Sequence, residues 1–152
     1  MRTLSIDPGG TTGMAAFNTR DNGTDFESWE IPGGLEGFAQ WNFNAGLPLR
    51  GFDQIVMESF IINEGTYKKT AQYDALYIIG YVRALSHLHG PPVKMQQPVK
   101  RKGCTDAMLK ALHWWDRSPG GHANDAARHL VVHLLKADKT VFRPLFIEAQ
   151  GI

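Results

Sequence analysis

A chain of 152 residues with 43% hydrophobic content reads as one domain over 1–152, since that size buries a core without staples. Its one cysteine, Cys104, excludes an internal disulfide, Leu4-Ser5-Ile6 is too short for a secretory core, and no segment reaches a membrane span; a cytoplasmic protein without membrane contact is expected. The net charge of +1 excludes coating nucleic acid by bulk charge, but charge is polarised: residues 1–58 hold three Lys/Arg against eight Asp/Glu, and residues 59–110 eight against three.

Leu4–Asp7 reads as a strand closed by Pro8-Gly9-Gly10, with Met14–Phe17 as its hairpin partner and Phe26–Ile31 as a third strand. After Pro32-Gly33-Gly34, Leu35, Phe38, Ala39, Trp41 and Phe43 predict a short helix with an aromatic face. Gln54–Glu58 is an apolar run ending in a carboxylate, the pattern of a central buried strand. Ala71, Ala75, Ile78, Ile79, Val82 and Leu85 place a long helix over Tyr67–Leu88, stopped by Gly90-Pro91-Pro92. Val93–Gln96 is a strand, Thr105–Trp114 a helix capped by Thr105, and Ala123–Leu135 a last helix. Three strands followed by alternating helix and strand predict an α/β fold with a mixed central sheet flanked by helices. Residues 137–152 form a C-terminal tail around Pro144 that either covers the sheet or meets a second subunit.

Three motifs carry chemistry. Asp7-Pro8-Gly9-Gly10-Thr11-Thr12-Gly13 puts a carboxylate at a strand end before a glycine turn that a phosphate backbone can approach closely. A capped hairpin turn, or the phosphate loop of actin-like kinases, shares that pattern. Glu58 ends a buried strand; if this strand lies beside the first, two carboxylates share one edge and repel, which a divalent cation relieves. His122 and Asp125 are spaced i, i+3 and can project from one helical face towards a shared ion, although Asp125 also suits the helix N-terminus as an anion.

This ordered set, Asp-Pro-Gly with Thr-Gly, a Glu closing a hydrophobic strand about fifty residues later, and His-x-x-Asp-Ala in the last helix, resembles the RuvC-like Holliday-junction resolvases of bacteria and phages, in the RNase H-like superfamily. Actin-like proteins need a second lobe for which this chain has no residues. The resemblance implies an RNase H-like fold, with Asp7, Glu58, His122 and Asp125 as the catalytic and metal-binding set. It implies two Mg²⁺ ions, replaceable by Mn²⁺, that hydrolyse DNA phosphodiesters. It also implies a homodimer acting on branched or four-way DNA. The Ala/Tyr/Ile-rich helix is its expected interface, with Ile78 and Ile79 on the contact face.

Lys100, Arg101 and Lys102 resemble the family's DNA-phosphate loop, with Lys68 and Lys69 nearby. Phe60 resembles a base-stacking aromatic that the family places one position later, and it reads equally well as a buried core residue. Thr105-Asp106-Ala107 stands where the family carries a further lysine. A less selective nuclease on flaps, single strands or RNA–DNA hybrids is the alternative, and a non-catalytic DNA-binding protein is the second. Trp41, Phe43, Trp114 and Trp115 read as core. His87, His89, His113 and His133 lack carboxylate spacing for a zinc site, and His129, one turn after Asp125, reads as an outer partner of the metal set.

Overall fold

The computed structural model describes residues 1–20, 23–46, 48–59, 72–98 and 103–152. Phe60, Lys68, Lys69, Lys100, Arg101 and Lys102 lie outside them.

A five-stranded sheet runs β3-β2-β1-β4-β5, with β1 Arg2–Asp7, β2 Thr11–Arg20, β3 Gly23–Pro32, β4 Gln54–Glu58 and β5 Val93–Gln96. The first three strands form an antiparallel meander, and β4 and β5 add in parallel to β1. The helices are α1 Gly34–Asn44, α2 Gln72–His89, α3 Asp106–Ala111, α4 His122–Ala137 and α5 Phe142–Ala149. None is long and apolar enough to cross a membrane among the described residues.

The period-two alternation of the strands splits the core between two faces. Leu4, Ile6, Met14, Ile55 and Met57 pack with Phe38 of α1 and Ile78 and Val82 of α2. Ala15 and Phe17 point the other way, into a cluster with Leu109, Trp114, Leu130, Leu134, Phe142 and Phe146. This is the mixed α/β layer architecture expected.

Three local expectations are corrected, and the open choice for the tail is decided. The helix expected over Thr105–Trp114 ends at Ala111, because His113 adopts a left-handed conformation with φ 62. His113 N and Trp114 N donate back to the carbonyls of Lys110 and Leu109, a Schellman closure with histidine where glycine usually signals the end. The tail contains α5, whose Phe142 and Phe146 are buried with Phe17 and Trp114, so it covers the sheet. Ile78 and Ile79 are buried in the chain's own core and cannot form a contact face; the outer face of α2 carries Tyr73, Tyr77, Gly80 and Ala84. Phe43 is 75% exposed, and Asn42 takes the buried place in α1, its amide joining Leu49 N and Tyr81 Oη.

Candidate active site

The β1–β4 pairing sets Ile6 beside Met57, so Asp7 and Glu58 occupy neighbouring strand ends. Because Ile6 and Met57 face α1 and α2, the two carboxylates face α4, which crosses that side of the sheet and carries Asp125 in its first turn. Burial pushes the Asp7 carboxyl up to about 8, with further upward contributions from Glu58 and then Asp125. Desolvation and two like charges both favour its neutral form. Three acidic residues 118 positions apart at the extremes thus converge on one place, as the spacing of strand ends and helix start implied.

Each flanking carboxylate has a basic partner from α4. His129 Nε2 lies 2.9 Å from Glu58 Oε2, and Arg128 Nη1 lies 2.5 Å from Asp125 Oδ1 while its Nη2 pairs with Asp106. In this arrangement no three His, Cys, Asp or Glu side chains among the described residues enclose a metal-sized space. The donor set nevertheless fits a hard divalent cation: the carboxylates supply oxygen ligands, and burial beside two further carboxylates, which raises the Asp7 pKa, is what a cation there would relieve. The His122 ring folds back towards Gly120, with Cδ2 and Nε2 about 3.3 and 3.5 Å from where a Cβ of Gly120 would stand. It lies one turn before Asp125 in α4.

How α4 reaches this position was not readable from its own residues. Its N-cap, Gly121, is left-handed and offers no side chain. The cap comes instead from β3, where Glu30 Oε1 accepts from His122 N at 3.1 Å and Ala123 N at 3.3 Å. A carboxylate there answers both the open amides and the helix dipole. Similarly, α1 begins at left-handed Gly33 without a side-chain cap, and Asp74 Oδ1 of α2 accepts from Leu35 N at 3.3 Å. Glu30 gave no sequence signal beyond an acidic residue in a strand.

Beneath the carboxylates the α4-facing side of β1 is polar. Thr3 and Ser5 are fully buried and their hydroxyls have no partner among the described residues, as is true of both ring nitrogens of His133. Burial, and then the Lys94 charge, lower the His133 pKa below 6.5. Small residues here let α4 lie close to the sheet.

No family model and no curated protein matches the sequence. Solved structures do. RuvC of T. thermophilus in complex with a Holliday junction substrate superposes with a TM-score of 0.63 at 14% identity, over 90% of this chain and 95% of that one. The fold is that of the RuvC-type resolvases. A second structure of Thermus thermophilus RuvC gives a TM-score of 0.54 at 15% identity, over 90% and 95% of the two chains. Fowlpox virus resolvase in complex with substrate Holliday junction DNA gives 0.55 at 14%, over 91% and 99%.

Proposed function

We propose that this chain is a divalent-metal-dependent endonuclease that hydrolyses DNA phosphodiesters in branched DNA, four-way junctions first among them. The observation that carries the reading is the convergence of Asp7, Glu58 and Asp125 on a fold shared along nine-tenths of the chain with resolvases solved on junction DNA. Two Mg²⁺ ions, held by Asp7, Glu58 and Asp125 with His122 beside them, would activate a water and stabilise the charge of the transition state. The protein supplies the rest. Asp7 and Glu58 are held on rigid strand ends, so their separation is set by the sheet register. Asp125 is brought in by the Glu30-capped helix, and His122, one turn before it, would hydrogen-bond a phosphate oxygen. Lys100, Arg101 and Lys102, with Lys68, Lys69 and Phe60, are proposed to hold the DNA outside this centre.

A homodimer, with two centres at a fixed separation, is proposed for coordinated cutting, and the outer face of α2 is its interface. The less selective nuclease reading draws on Asp106: where the family carries a lysine, Thr105 caps α3 and Asp106 pairs with Arg128, so one cationic DNA contact is replaced by an internal ion pair.

Labelled four-way junction, flap, duplex, single strand and RNA–DNA hybrid, incubated side by side with Mg²⁺ and with chelator, test the proposal. Metal-dependent cutting that favours the junction is expected. Equal cutting of flap and junction moves the assignment to a general nuclease, and no cutting with intact DNA binding moves it to a binding protein.

A further inference from the structure

Glu58 has a buried partner that the catalytic scheme above leaves unused. We propose that His129, itself oriented by Gln96, is the positioning residue for Glu58: it donates one hydrogen bond to Oε2, leaves Oε1 free to face a divalent ion, and thereby sets how tightly the site holds that ion. This rests on reading Glu58 as a metal ligand.

The direction of the hydrogen bonds follows from one carbonyl. The Gln96 amide nitrogen lies 3.1 Å from the His129 backbone oxygen and 3.1 Å from His129 Nδ1. A carbonyl only accepts, so the amide end placed there is the NH₂ group, and its second proton goes to Nδ1. Nδ1 therefore accepts, the neutral ring carries its proton on Nε2, and Nε2–H donates to Glu58 Oε2 at 2.9 Å. His129 is 3% exposed, so the donor side of this bond is shielded from water.

The anchor is tied into the sheet. Gln96 lies opposite Glu58 in the β4–β5 register, and its carbonyl accepts from Ser59 N at 2.7 Å. One imidazole therefore ties the end of β4, which carries Glu58, to the helix that carries Asp125 one turn earlier. A strand-end glutamate open to water needs no such partner. Neighbouring positions on the buried face of α4 are Ala126 and Leu130, and an apolar residue at 129 would pack there without the cost of burying a ring that must be satisfied.

The test measures metal binding without DNA and the ring tautomer without metal. In calorimetric titrations of the full chain with Mn²⁺, His129→Leu is expected to raise Kd about ten- to a hundredfold, the scale of loss when a partner behind a metal ligand is removed. Gln96→Leu should raise it about tenfold, and His129→Gln, which keeps an NH donor, should return it to within about threefold of wild type. Should His129→Leu fail to fold, long-range ¹H–¹⁵N spectra of the wild type decide the geometry: the Nε2–H form is expected, with a resonance that moves in Glu58→Gln. An Nδ1–H form, or unchanged Mn²⁺ affinity in His129→Leu with metal-dependent cleavage intact, overturns positioning while leaving the nuclease reading standing. A wild type that binds no Mn²⁺ while showing the expected spectra overturns the metal site, and with it the role of His129.

Discussion

Gly13 lies against the backbone of His122: a Cβ at position 13 would fall inside the His122 carbonyl and 3.0 Å from Ala123 N. Gly13 is also the β2 partner of Asp7. The third glycine of the first motif is thus a packing device that lets the start of α4 descend onto the strand pair bearing Asp7, and it serves the site by closeness of helix to sheet rather than of loop to phosphate.

Gly13→Ala is therefore expected to push α4 away from β1. Overpacking of this kind costs about 1–3 kcal/mol, and a displacement near 1 Å at a catalytic constellation costs about a hundredfold in rate. Urea unfolding and single-turnover junction cleavage measure the two. Wild-type rate in a folded Gly13→Ala protein would show that α4 placement is not critical.

Glu30→Ala removes the cap that β3 lends to α4. A loss of about 0.5–2 kcal/mol is expected, in the range for helix caps. Glu30→Gln, which keeps an accepting oxygen but not the charge, should recover part of it. Cleavage should fall in the same order, and equal stability of all three proteins would show that the cap contributes nothing.

Asp7→Asn is expected to abolish cleavage while stabilising the chain in chelator. The folded protein holds the Asp7 proton up to about pH 8, against 3.8 for the ordinary group. The unfolded chain ionises first as pH rises, so the stability tied to this group is complete below pH 3.8 and is lost as pH climbs through 8. Each pKa unit corresponds to about 1.4 kcal/mol. Denaturant unfolding from pH 5 to 9 should show the wild type losing stability relative to Asp7→Asn, and Mg²⁺ should raise the melting temperature of the wild type only. A parallel pH dependence in the two proteins would contradict the assignment.

His133→Leu should stabilise the protein, by about 1–3 kcal/mol, because both ring nitrogens are buried without partners among the described residues. The sign with pH is opposite to that of Asp7. With its folded pKa lowered below 6.5, His133 contributes fully above pH 6.5 and loses stability as pH falls, since the unfolded chain takes up the proton. The gain from leucine should therefore grow between pH 7 and 5; a gain that shrinks there would mean that the ring is solvated or paired.

On α2, Tyr77→Asp should leave the melting temperature unchanged and yield monomers that nick a junction without coordinated double incision, whereas Ile78→Asp should unfold the chain, because Tyr77 is 57% exposed and Ile78 fully buried. Sedimentation and cleavage assays separate the two. A Tyr77→Asp protein that sediments like wild type at all concentrations would place the interface elsewhere.

The order of strands and helices, the Gln54–Glu58 strand and the Thr105 cap were legible in the sequence because each is a local fact: alternation, helical spacing, and a capping residue beside the amides that it serves. The acidic set was legible for the same reason, since strand ends and helix starts can be found one element at a time. Pro144 hid α5 by looking like a stop, although a proline in the first turn of a helix costs nothing. What tertiary structure alone decided are the pairings across the chain: Glu30 with His122 over 92 positions, Glu58 with His129 over 71, Leu35 with Asp74 over 39. Periodicity tells which face a side chain occupies. It does not tell which distant element comes to lie against that face, because that depends on the packing of all the layers at once.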